Sequence, residues 1–158
     1  MAERQGIDLA PIRTALRTGD TNAYERRQML DRPPHILVTT PESLFILLTA
    51  RRSREILGSA STLIVDEIHA VADDKRGAHL ALSIERLERL VAEQGGALQR
   101  VGLSATVSPI DQVAQFLRPT SGTRSVQIVQ VGHSRPMKLA VETMDDELGA
   151  VASQEMWG

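Results

Sequence analysis

Short, wholly apolar runs alternate along this chain with longer segments in which apolar residues recur every three to four positions. Ile36-Leu37-Val38, Leu63-Ile64-Val65 and Val101-Gly102-Leu103 are of the first kind, which suits strands of a parallel sheet buried on both faces. Leu80, Ile84, Leu87 and Val91 are of the second kind and predict an amphipathic helix, stopped by Gly95-Gly96, with Glu85 and Arg89 paired on its outer face. Asn22 with Glu25 predicts a capping box for a helix to about Leu30, which Pro33-Pro34 follows. Thr40 as cap, Pro41 at the first position and Glu42 in the first turn predict a helix from Pro41 to about Ala50. Arg51, Arg52 and Arg54 read as solvated residues at its C-terminus, where the helix dipole favours them.

The remaining pattern is weaker. Ile12 to Leu16 alternates as a strand and Thr18-Gly19-Asp20-Thr21 reads as a turn. Val71 to Arg76 reads as a polar loop. Ser108 and Asp111 predict a capped helix with Ile110, Val113, Ala114 and Leu117 on one face, ended by Pro119. Val126 to Val131 and Met137 to Val141 read as late strands, and Glu142 to Gly158, with five acids and no base, as a linker or tail. Strands alternating with helices imply an α/β fold, a mainly parallel sheet flanked by helices.

Composition narrows the function classes. At 158 residues the chain fits one domain with a core of its own. No apolar run approaches the roughly 18 residues of a membrane span and no signal-peptide core opens the chain, so a cytoplasmic location is the default expectation. The absence of cysteine excludes disulfides, thiolate metal sites and thiol nucleophiles. A net charge of −2 gives no global basic field, so any nucleic-acid binding must use local patches.

Three predicted strand ends carry polar groups: Asp66-Glu67 with His69, Ser104 with Thr106, and the Thr39-Thr40-Pro41 helix start. In a parallel sheet such ends share one edge, where ligands bind. An aspartate there can hold hydrated magnesium, a neighbouring glutamate can deprotonate a water for attack on phosphate, and a helix N-terminus can receive a phosphate oxygen. Each element alone has a common structural reading as a loop, a cap or a helix start; it is their order and placement that favour metal-assisted phosphoryl transfer.

These residues resemble the boxes of superfamily 2 helicases of the DExH type. Asp66-Glu67-Ile68-His69 is similar to their Walker B box, Ser104-Ala105-Thr106 to motif III and Thr40-Pro41-Glu42 to motif Ib. The strings around Arg17 to Thr21, Pro34 to Leu44, Lys75-Arg76-Gly77 and Gln99 to Thr106 resemble the large helicase-related family of ATP-dependent DNA helicases, over about Ile12 to Val141. The resemblance implies a RecA-like P-loop NTPase fold and MgATP as the fuel. Asp66 would hold Mg²⁺ through water, Glu67 would activate the attacking water, His69 would link nucleotide state to a second motor domain, and Ser104 and Thr106 would couple hydrolysis to movement. Thr18, Gly19, Asp20, Thr21, Thr40, Pro41 and Glu42 would track the backbone of single-stranded or partly duplex DNA, with RNA as the open alternative. Lys75-Arg76-Gly77 matches the family without a derivable role.

The chain departs from the family pattern in lacking any G-x-x-x-x-G-K-[ST], the loop that cradles nucleotide phosphates. The expectation is therefore residues 1–141 as part of a first RecA-like domain, incomplete at its phosphate-loop unit, and 142–158 as an acidic linker toward a second such domain. The other helicase segments would act in cis. Alone, the chain should have one unpaired edge at Val101 to Ser104, or close it against a different strand; it should be poorly stable, bind ATP weakly if at all, and neither hydrolyse ATP nor unwind DNA. A non-catalytic interaction module on the same scaffold is the alternative; a stand-alone metal-dependent phosphohydrolase using Asp66, Glu67 and His69 is a third.

Overall fold

The computed structural model describes residues 11–72, 75–104, 110–120 and 125–130. The chain divides into two compact units, Met1–Ile128 and Val129–Gly158, and the regular elements among the described residues belong to the first. In order they are β1 (Thr14–Arg17), α1 (Ala23–Asp31), β2 (Ile36–Thr39), α2 (Pro41–Thr49), α3 (Arg51–Leu57), β3 (Thr62–Val65), α4 (His69–Ala72), α5 (Lys75–Glu93), β4 (Gln99–Gly102) and α6 (Ile110–Phe116). β1 pairs with β2 and β3 with β4, both parallel. The strands are therefore parallel as expected, in two pairs among the described residues, and β4 has no described neighbour beyond β3.

The helix starts follow the local chemistry. Asn22 Oδ1 accepts from the Glu25 amide at 2.9 Å and the Glu25 carboxylate accepts from the Asn22 amide at 3.3 Å, completing the capping box. Thr40 Oγ1 accepts from the Ser43 amide at 3.3 Å, with Pro41 opening α2. Thr40→Ala is expected to cost about 1 kcal/mol of stability, read as a lower urea midpoint with unchanged m value; an unchanged midpoint would show that the cap contributes nothing.

The core lies between helices on one side of the strands. Leu44, Leu47 and Leu48 of α2, Leu57 of α3, and Leu80, Ile84, Leu87, Leu90 and Val91 of α5 are buried together with Val65, Ile68, Leu98 and Leu117. Ala15, Leu37 and Leu63 pack against this cluster, as strand alternation requires of alternate residues. Their neighbours face the other way. Leu16, Ile36, Val38 and Ile64 are 51–61% exposed. The expectation of burial on both faces is thus corrected: the described helices cover one face, and the apolar residues of the other remain open to solvent.

Several local expectations change for similar reasons. β1 starts two residues later and ends one later than the alternation suggested. The arginines after α2 do not trail a helix end. Ala50 is extended and α3 begins at once, with Ser53 and Leu57 turned inward and Arg51, Arg52 and Arg54 exposed. Val71 to Arg76 is no plain loop: Val71 packs on the core from α4, and Lys75 and Arg76 form the exposed start of α5. Arg89 pairs with Glu93 at 3.0 Å, while Glu85 pairs with Arg100 at 2.8 Å. Residues 125–130 carry no regular structure; Val126, Ile128 and Val129 are exposed and no described strand lies alongside to accept a ladder. Ser108, Met137 to Val141 and 142–158 lie outside the described residues.

Candidate functional site

The strand pairs deliver the polar motifs in two groups. Val65 stands opposite Gly102, so the chain leaves β3 at Asp66 beside the residues that leave β4. The Leu103 amide donates to Val65 O at 2.9 Å and the Ile68 amide to Leu103 O at 3.1 Å, stitching the two exits together. Glu67 makes the turn between them with a φ of 47°, a left-handed conformation that costs a non-glycine residue about 1 kcal/mol. Its amide donates to Asp66 Oδ1 at 3.0 Å, a local bond that supports the strained turn.

That turn carries Glu67 onto His69. His69 Nδ1 lies 3.3 Å from Glu67 Oε2 and 2.7 Å from Ser104 Oγ. One ring nitrogen cannot serve both in the same way. Unprotonated, it accepts from the Ser104 hydroxyl; protonated, it can donate to the Glu67 carboxylate. Asp66, Glu67, His69 and Ser104 are all exposed, open to a ligand above the strand ends. Thr106 lies outside the described residues.

The second group sits at the ends of β1 and β2, where Arg17 stands opposite Thr39 and Thr39 Oγ1 donates to Arg17 O at 2.7 Å. The Thr18 to Thr21 turn closes on itself. Thr21 is buried, its hydroxyl accepting from the Thr18 amide at 2.8 Å and donating to Leu16 O at 3.3 Å. Gly19 and Asp20 form the exposed tip. Arg26 of α1 clamps the turn from below, donating to Thr21 O at 2.7 Å and Gly19 O at 3.0 Å. Beside it, Thr40 and Pro41 are half-buried and Glu42 is exposed. The own backbone N–H of Glu42, and then Arg76, hold its carboxyl below the ordinary glutamate range.

Motif reading left Arg26 unmentioned and gave Arg76 and Arg100 a place in family strings but no role. Arg26 carried only a faint signal, a base one turn into the helix after the Thr18 to Thr21 turn. Arg100 carried a clearer one, a charge inside a strand between Leu98 and Val101. Among the described residues no cluster of three His, Cys, Asp or Glu is arranged to hold a metal ion. Two exposed carboxylates, Asp66 and Glu67, do suit a magnesium ion that arrives on phosphate and keeps most of its waters, since that ion needs only one or two protein oxygens.

A family model described as DEAD/DEAH box helicase matches residues 3–115. The chain is 48% identical over 158 residues to an ATP-dependent helicase Lhr-Core of Methanothermobacter thermautotrophicus, covering 99% of this chain and 18% of that protein. It is 47% identical over 154 residues to the Lhr helicase/uracil glycosylase of Escherichia coli, covering 95% of this chain and 10% of that one. Among solved structures, that of the Mycobacterium smegmatis helicase Lhr bound to ssDNA and AMP-PNP matches at a TM-score of 0.69 and 51% identity, over 78% of this chain and 15% of that one. The chain thus spans less than a fifth of the length of these relatives. No described helix is long and apolar enough to cross a membrane.

Proposed function

Because this chain belongs to the DEAD/DEAH box helicase family, we propose that it supplies the water-activating, coupling and strand-tracking part of a motor that uses ATP hydrolysis to move along DNA and unwind it. The observation that carries the reading is the position of His69 Nδ1, 2.7 Å from Ser104 Oγ and 3.3 Å from Glu67 Oε2 at the exits of two paired parallel strands. A loop or cap has no need of such a contact between residues 35 apart in sequence. A hydrolytic site that must report its state to a neighbouring element does.

Glu67 orients a water against the terminal phosphate and takes its proton. Asp66 would hold magnesium through a water, and the ion, when bound with the nucleotide, neutralises charge on the phosphate oxygens. His69 stands between the base and Ser104, so its ring can trade the Ser104 hydroxyl for the Glu67 carboxylate as charge at the base changes. Ser104 leaves β4 and Glu67 leaves β3, so the exchange is felt across both strands. The loop that cradles the phosphates is not encoded in these residues, and the relatives extend far beyond the matched segment.

The Thr18 to Thr21 turn and the Thr40-Pro41 helix start form the strand track. They lie side by side because β1 and β2 are in register, and they offer small side chains and backbone groups that meet phosphates and sugars without reading bases. Single-stranded DNA of unrelated sequences should therefore bind the chain with similar affinity, and log K should fall linearly with log salt. Fluorescence anisotropy across a salt series tests this; no affinity at about 50 mM salt, where phosphate contacts are strong, would overturn the track.

A further inference from the structure

Lys75-Arg76-Gly77 has no role in the chemistry above, yet Arg76 reaches across the structure. From the first turn of α5 its Nε donates to Glu42 Oε1 at 3.0 Å, and its NH2 lies 2.9 Å from the same oxygen in an ion pair. Glu42 stands in the first turn of α2, next to Thr40 and Pro41. The geometry is pre-set by the packing of the two helices. Phe45 of α2 lies with its ring centroid 4.7 Å from that of His79 and 5.3 Å from the Arg86 guanidinium, both on α5. Gly77, next to Arg76 in the first turn of α5, is buried.

Glu42 is a difficult residue for a strand track. A carboxylate favours a helix N-terminus, but here it stands exposed where a polyanion would pass. On the track reading above, we propose that Arg76 is a positioning residue: it holds the Glu42 carboxylate as a neutralised pair beside Thr40 and Pro41, so that the phosphates of a single strand pass without like-charge repulsion. Arg76 acts through Glu42 and does not itself meet the strand. The pair also ties the track to α5, the helix that comes after α4 and its His69 in the chain.

The test is the affinity of the full chain for labelled oligothymidylate, measured by anisotropy for Arg76→Gln, Glu42→Gln and the double variant. Both side chains are more than half exposed, so the fold should survive each change, with thermal melts as the control. Arg76→Gln should raise Kd about fourfold at low salt, the effect of one bare charge roughly 5 Å from a phosphate in water. The loss should fade as salt screens it, which a structural defect would not do. Glu42→Gln should bind at least as tightly as the unsubstituted chain, and the double variant should return to within about twofold of it, since the charge to be neutralised is gone.

An unchanged Kd in Arg76→Gln overturns the inference. So does a double variant as weak as Arg76→Gln, which would place Arg76 on the phosphate itself. Either pattern leaves the track standing. No binding by the unsubstituted chain overturns the track, and the role of Arg76 with it.

Discussion

Glu67→Gln is expected to lower ATP turnover by roughly 10²- to 10⁴-fold, the usual contribution of a positioned general base. The measurement belongs to a form of the protein that hydrolyses ATP. There kcat should fall while KM for ATP and the affinity for single-stranded DNA stay close to their original values, because the amide keeps the size of the carboxylate and the track lies at the ends of other strands. The left-handed backbone at Glu67 is compatible with glutamine, so the change should act on proton transfer alone. A kcat reduced by less than about tenfold would remove Glu67 from the role of base. A comparable loss of DNA affinity would mean that the two groups of residues are not separate.

The second large effect concerns stability. The Arg100 side chain on β4 is only 5% exposed, with NH1 2.8 Å from Glu85 Oε1 and NH2 against Glu88 Oε2, both carboxylates on α5. The Thr120 amide donates to the same Glu85 oxygen at 3.3 Å, so the network joins β4, α5 and the segment after α6. Arg100→Ala leaves two carboxylates in a largely buried site without their partner, at an expected cost of roughly 3–5 kcal/mol. That is a large share of the roughly 5–15 kcal/mol that holds a typical domain together, so urea denaturation should show a collapsed midpoint or no folded baseline. Replacing all three by apolar residues of similar volume, Glu85→Leu, Glu88→Leu and Arg100→Met, should recover most of the loss, because it removes the burial of charge altogether. A shift of less than about 1 kcal/mol on Arg100→Ala would show that water reaches the site freely.

The two sites are linked through β4. Arg100 points from β4 into the helix layer, whereas Ser104 lies just past the carboxyl end of the same strand. Any slackening of β4 against α5 therefore reaches the His69 contact through a few residues of backbone, and partial variants at Arg100 should disturb coupling before they unfold the chain.

Local chemistry was legible wherever a short stretch of residues decides its own backbone. The Asn22 and Glu25 capping box, the Thr40-Pro41 start of α2, the bounds of β3 and the buried stripe of α5 all follow from spacing and cap type. So did the placement of Asp66, Glu67 and His69 at a strand exit, since an apolar run that stops at acids has few other readings. The choice of partners was not legible in this way. Glu85 and Arg89 have good helical spacing, yet Glu85 instead meets Arg100, 15 residues on, because a desolvated site on the core side of α5 binds a charge more strongly than an exposed neighbour does. Arg51 to Arg54 looked like a solvated helix end, and only Ser53 and Leu57 finding cover turned them into a helix.

The order of β1 to β4 with α1, α2, α5 and α6, the caps of α1 and α2 and the chemical character of the Asp66 to His69 turn were thus encoded locally, by periodicity and by hydrogen bonds spanning three or four residues. Which acid each arginine would hold, which face of each strand would be covered, and that Ser104 would come within 2.7 Å of His69 were decided by packing. These contacts join residues far apart in the chain, and their strength depends on burial and on the register of parallel strands, which no local pattern carries.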